Sequence, residues 1–137
     1  MRVAPFILAL AATASPVLAA VPVTGRWYTA EKDSVVHIGQ CGPVICGKVA
    51  KVLKTPPGGG PAVDSNNPDP SLRSRPIQGI TILSGFKDAG GEWEGQIYDP
   101  RAGKTYRSTM AKQPDGSLKV KGCVGPFCKA VTFTPAP

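Results

Sequence analysis

The sequence contains one histidine, His37, and no Cys-x-x-Cys step. A single imidazole with no Ser/His/Asp arrangement around it forms no nucleophilic triad and has no partner for general-base work. It also leaves only carboxylates and cysteines as metal ligands, a poor set for zinc. Without Cys-x-x-Cys, thiol–disulfide catalysis is not expected. The one glycine run, Gly58-Gly59-Gly60, lacks the Lys-Ser/Thr and helix of a phosphate-cradling loop. Beyond the first twenty residues no apolar run is long enough to cross a bilayer, and no window holds helical period for three turns. These gaps point away from the common enzyme classes. The expectation is a non-catalytic protein with no cofactor and no metal.

Acidic residues are also scarce, 9 Asp and Glu against 16 Lys and Arg, for a net charge of +7 over 137 residues. The length suits one domain. Its start carries the marks of a secretory leader: Arg2 as the positive region, Phe6 to Ala12 as the apolar region, and Val17-Leu18-Ala19 as a small-x-small cleavage site. A transmembrane anchor is the competing reading, but Thr13, Ser15 and Pro16 break the apolar run. Residues 1–19 are thus expected to be a signal peptide and residues 20–137 the mature domain, periplasmic or secreted.

Export makes disulfides the expected state of Cys41, Cys46, Cys123 and Cys128. The two segments, Cys41-Gly-Pro-Val-Ile-Cys46 and Cys123-Val-Gly-Pro-Phe-Cys128, share one spacing, and each has a Gly-Pro step that turns the chain. Local bridges Cys41–Cys46 and Cys123–Cys128 are the first choice. Cross-pairing is the second, and a four-cysteine zinc site the third.

Eight stretches carry strand character: 24–30, 34–39, 44–53, 79–86, 92–98, 104–112, 118–124 and 129–134. Period-two alternation is clearest where Trp93, Gly95 and Ile97 interleave with Glu94, Gln96 and Tyr98. Turn chemistry lies between them at Asp88-Ala-Gly-Gly91, Asp99-Pro-Arg-Ala-Gly103 and Gln113-Pro-Asp-Gly116. The prediction is an all-β chain of about eight short strands closed into a small antiparallel barrel, its interior packed or holding one ligand. One stretch departs from the pattern. Lys54 to Pro76 holds six prolines and three glycines in 23 residues, and is expected to be a long loop that either lids the barrel or runs over its surface.

Within this frame His37 faces outward, opposite Val36 and Ile38. Glu92 and Glu94 share a strand face and are expected to be exposed charges that discourage edge pairing, with a glycosidase-like carboxylate pair as the lesser reading. Asp64 and Asn67 are expected to bond locally, or to pair a carboxylate with an Arg between loop and barrel. Lys48, Lys51 and Lys54, then Arg73 and Arg75, then Lys119 and Lys121, would make an electropositive mouth if the fold brought them together.

The stretches Gly25-x-Trp27, Val36-x-Ile38-x-x-Cys41-Gly42-x-x-x-Cys46-Gly47-Lys48, Asp64-x-x-Asn67-Pro68, Arg73-x-Arg75-Pro76, Trp93-x-Gly95-x-Ile97-Tyr98-Asp99-Pro100, Gly103-Lys104-x-Tyr106 and Leu118-Lys119-Val120-Lys121-Gly122 resemble, in order, the small exported bacterial proteins of domain of unknown function 2147. The resemblance implies a lipocalin-like (calycin) barrel. Gly25-x-Trp27 also resembles the lipocalin opening, where the Trp closes one end against a late Arg. The last strand here has no Arg, which leaves Lys129 as the substitute.

The functional expectation is a cell-envelope binding protein that holds a small amphipathic or anionic molecule, with a phosphorylated, nucleotide-like one among the candidates. Its candidate ligand residues are Trp27, Tyr98 and Tyr106 as walls and Lys48, Arg73 and Arg75 as the polar clamp. The alternative is a protein-interaction or inhibitor module with a packed barrel. No nucleic-acid partner is expected.

Overall fold

The computed structural model describes residues 2–14 and 18–137. Ser15, Pro16 and Val17, within the expected leader and its cleavage site, lie outside the described residues. Eight strands follow in order: β1 Gly25–Tyr28, β2 Ser34–Cys41, β3 Val44–Val52, β4 Thr81–Asp88, β5 Trp93–Asp99, β6 Lys104–Lys112, β7 Leu118–Val124 and β8 Phe127–Pro135. Each pairs antiparallel with the next, and β8 returns to β1 through Trp27↔Pro135 and Tyr28↔Thr134, closing the barrel. Closure leaves no edge strand, so Glu94 has no edge to guard; it is simply an exposed charge on β5. Among the described residues no helix is long and apolar enough to cross a membrane.

An up-and-down meander puts alternate turns at opposite ends. The turns after β2, β4 and β6 form the lower end; those after β1, β3, β5 and β7 form the upper end. Cys41 joins Cys46 at the lower end, with Cα atoms 5.7 Å apart. Cys123 joins Cys128 at the upper end, at 4.1 Å. The local pairing is therefore the one present. The separation of the two pairs excludes a zinc site shared by all four sulfurs.

Inward residues follow the period of two, with local exceptions. Val36 and Ile38 are fully buried while His37 between them is exposed. His37 stands outside, in register with Arg26 on β1 and Lys48 on β3. Val35 and Val36 are both buried because the β2–β3 register shifts between them, which is how a bulge buries two neighbours.

The lower half of the barrel is solid. Val23, Trp27, Val36, Ile38, Ile45, Leu83, Phe86, Met110 and Leu118 belong to one buried cluster. Two interior glycines make room for it. A Cβ on Gly47 would lie 2.8 Å from Leu83, and one on Gly95 would lie 2.8 Å from the Phe86 ring, so these side chains fill the space the glycines leave.

The lower end is closed by hydrogen bonds to backbone carbonyls rather than by a late Arg against Trp27. The Trp27 indole donates to Val23 O at 3.0 Å, the Trp93 indole to Val21 O at 2.9 Å, and Arg26 Nε to Pro137 O at 3.0 Å. Lys129 does not substitute for the missing Arg. It lies six residues up β8 from Pro135, the register partner of Trp27, or about 20 Å of strand.

Candidate functional site

The upper half of the barrel is hollow. A cavity of about 1150 Å³ opens at the upper end, just above the usual range of ligand sites, roughly 300–1,000 Å³. Val49, Val52, Ile82, Ile97, Tyr106, Val120, Val131 and Phe133 form its wall, one or two from nearly every strand. Gly122 is in that wall too. A Cβ there would meet Ile97 and Tyr106 only at 3.8 and 3.9 Å, so the space in front of it is unfilled. The loop between β3 and β4 adds Pro56, Pro57, Ala62, Val63, Ser65 and Asn66.

This loop is folded, not a loose excursion. Val63 bridges Pro76, Asp64 N donates to Arg75 O and Ile77 N to Ala62 O, so residues 62–77 double back on themselves. Asp69 caps the short 3-10 turn Pro70–Leu72 by accepting from Ser71 N. The centre of the fold-back is the Asp64 carboxylate, which is fully buried. It accepts from Tyr98 Oη at 2.5 Å, Asn67 Nδ2 at 2.8 Å, and Arg75 Nε and Nη2, both at 2.9 Å. Burial alone would push its pKa up, but the bonds from Tyr98, Asn67 and Arg75 outweigh it and hold the group below the usual carboxylate value. The same arrangement raises the Tyr98 phenol, through burial first and then its bond to the carboxylate.

A second fastening lies beside the first. Asn66 Nδ2 donates to Arg101 O at 2.9 Å in the β5–β6 turn. Gly103 sits beneath Asn66 at φ +63, and a Cβ there would fall 1.8 Å from Asn66 O. Only glycine meets both the left-handed backbone and the close approach.

The sequence-predicted ligand residues separate. Tyr98 and Tyr106 line the cavity. Trp27 is buried in the solid lower half. Lys48 points outward from β3, exposed beside His37. Arg73 Nε donates to Asn67 O at 2.8 Å and Arg75 is bonded to Asp64, so both guanidiniums are used within the loop. The carboxylate–Arg pair lies inside the loop, and the link from loop to barrel is the Tyr98 hydroxyl. The electropositive mouth does not form. The charged residues that line the cavity are Lys54, Arg101 and Lys129 against Glu31, Asp33 and Asp99, and Arg101 bonds Glu31. Lys54 donates to Glu31 O. Lys129 forms no ion pair among the described residues. Also among the described residues, no three His, Cys, Asp or Glu side chains converge as a metal site would require.

Sequence reasoning missed Asn66 and Gly103 as fasteners and underrated Asp64. The available signal was a turn-prone Asp64-x-x-Asn67 beside two Arg residues, which does not show which partner each group finds.

A closed eight-stranded meander, solid at one end and hollow at the other, is a barrel of the calycin type. More particularly, the chain belongs to the family described as "Uncharacterized protein conserved in bacteria (DUF2147)", whose model matches residues 25–135. Among solved structures it is similar to a Helicobacter pylori protein described as belonging to the lipocalin family. The two share 24% sequence identity at a TM-score of 0.72, over 85% of this chain and 84% of that one. The chain matches no curated protein.

Proposed function

We propose that this is an exported binding protein that carries one small amphipathic molecule, its apolar body in the upper half of the barrel and its head at the rim. The observation that carries this reading is the hollow of about 1150 Å³ walled by aliphatic and aromatic side chains. Sites with apolar walls and a few polar groups at one end are typical of small-molecule binding. At the rim, Lys129 is the cation with no ion pair among the described residues, and it suits a single carboxylate or phosphate head. A polyanionic, nucleotide-like ligand fits less well, because Glu31, Asp33 and Asp99 share the rim. Two disulfides suit an oxidising compartment. Burial of Ala20 against the lower end, preceded by the exposed Leu18, supports removal of residues 1–19. The alternative of a filled barrel acting only through its outer surface loses ground, since the upper half is not filled.

The test is uptake of an apolar fluorophore, N-phenyl-1-naphthylamine, and its displacement by fatty acids of graded length. Native mass spectrometry of protein from its own envelope looks for retained cargo. Gly122→Leu grows into the cavity from a position with room for the branch, so it should keep the fold and weaken uptake at least tenfold. If the fluorophore does not bind, or binds Gly122→Leu equally well, the reading fails.

A further inference from the structure

The β7–β8 turn at the cavity mouth has an unusual surface. Val124 and Phe127 flank Gly125-Pro126 and are 65% and 80% exposed, although both have large apolar side chains. The Cys123–Cys128 bridge pins the base of this turn, and Cys123 and Cys128 are direct register partners. Exposing these side chains therefore costs little further ordering on contact. Both residues also line the cavity rim.

Charge on the strands that carry the turn has one sign, while Glu31, Asp33 and Asp99 lie elsewhere on the same rim. Arg107 Nη2 donates to Gly125 O at 2.8 Å, which places its guanidinium against the tip. Lys129 is two residues beyond Phe127, and Lys121 three residues before Val124. None of the three forms an ion pair among the described residues. Across β6, β7 and β8 the charged residues are Lys104, Arg107, Lys112, Lys119, Lys121 and Lys129, with no acid in any of the three strands. The only acid after Asp99 is Asp115, in the β6–β7 turn at the opposite end.

We propose that this turn is a docking surface for an anionic lipid bilayer: Phe127 and Val124 enter the interface while Arg107, Lys121 and Lys129 meet the head groups. An apolar tip ringed by cations is the combination that binds anionic membranes by burial and electrostatics together. The position gives the contact a purpose. A barrel docked by this turn brings the β7–β8 side of its cavity mouth to the bilayer, where an amphipathic cargo can pass with little exposure to water. That purpose rests on the carrier reading; the docking itself does not.

The experiment is flotation of the mature protein with vesicles of phosphatidylglycerol and phosphatidylethanolamine, against vesicles of phosphatidylcholine alone. Phe127→Trp supplies a reporter, whose emission shifts to the blue and is quenched by brominated acyl chains if the tip enters the interface. Binding to the anionic vesicles should weaken as salt rises. It should fall at least tenfold in Val124→Ser/Phe127→Ser and roughly fivefold for each cation neutralised among Arg107, Lys121 and Lys129. Fluorophore uptake and melting, measured on the Arg107 and Lys121 variants, whose side chains are not part of the cavity lining, should stay at the parent values, which separates failure of docking from failure of the carrier reading. Docking is refuted if the protein does not float with anionic vesicles, if the Ser substitutions leave flotation unchanged, or if the Trp reporter is not quenched. A turn that captures only a protein partner would show all three of these results.

Discussion

Removing the Asp64 carboxylate should release the loop over the cavity while leaving the barrel standing. Asp64→Ala deletes the acceptor of bonds from Tyr98, Asn67 and Arg75. Hydrogen bonds to a charged group contribute roughly 1.5–3 kcal/mol each, and breaking a buried ion pair costs about 3–5 kcal/mol. Arg75 is 36% exposed, so its freed guanidinium regains water and the lower end of that range applies, about 3 kcal/mol. The Tyr98 bond fastens residues 62–77 to β5, the Asn67 and Arg75 bonds hold the fold-back itself, and none joins two barrel strands, so the cost falls on local opening. At about 1.4 kcal/mol per decade, protection of the Asp64, Asn67 and Ile77 amides against hydrogen exchange should drop by about a hundredfold. Tyr98→Phe, which loses one donor, should drop it by about tenfold. The barrel melt should move far less than the loop amides. Fluorophore affinity should also fall, because Ala62, Val63, Ser65 and Asn66 leave the cavity wall. If those amides keep parent protection in Asp64→Ala, the network does not hold the loop and the argument is wrong.

The same carboxylate sets a pH dependence. Its folded pKa lies below the ordinary aspartate value, so its contribution is complete above that value and is lost as pH falls through the lower, folded one. Loop protection should therefore decline only below about pH 4, and the difference between parent and Asp64→Asn should shrink over the same interval. Gly103→Ala should detach the loop from the β5–β6 turn, since its methyl would overlap Asn66 O; exchange of the loop amides should rise without loss of the β signature in circular dichroism. Ser108 is fully buried and its hydroxyl has no hydrogen-bond partner among the described residues, so Ser108→Ala should stabilise the barrel by about 1 kcal/mol in urea, and a loss of stability would show that the hydroxyl is satisfied. Ala20 N donates to Asp88 Oδ2 at 2.9 Å. Cleavage after Ala19, as proposed, would make that donor an ammonium, so Asp88→Asn should lower the melting temperature of the chain starting at Ala20 more than that of the full-length chain.

The strands were legible because each half of the alternation is chemically distinct. His37 between Val36 and Ile38, or Gln96 between Gly95 and Ile97, declares its face without knowledge of its neighbours. The disulfides were legible because a Gly-Pro turn brings residues five apart together. The ligand residues were not. Arg73 and Arg75 look like an anion clamp until the loop folds back and Asp64 takes one of them. Trp27 and Tyr106 are both inward aromatics, yet one lies in the solid half and the other in the hollow one. That difference depends on which side chain faces them across the interior, and pairing across a barrel is not a sequence-local property.

The boundary between the two halves shows how the chain makes a cavity without any special residue. Gly95, Ser108 and Gly122 are register partners across β5, β6 and β7, so small side chains occupy one row of the inner wall. Small residues alone do not make a hollow. At Gly95 the Phe86 ring comes within 2.8 Å of where a Cβ would sit, and the space is consumed. At Gly122, two strands further round, Ile97 and Tyr106 stop about an ångström short of that approach, and the space stays open. The cavity is thus set by where the large residues of the facing strands fall: the Phe86 ring closes on Gly95, while no large side chain closes on Gly122. Gly95→Ala should therefore strain the packed half and lower stability, whereas Gly122→Leu should leave stability near the parent value and remove ligand space. Equal responses from the two glycines would mean that the barrel has no such division.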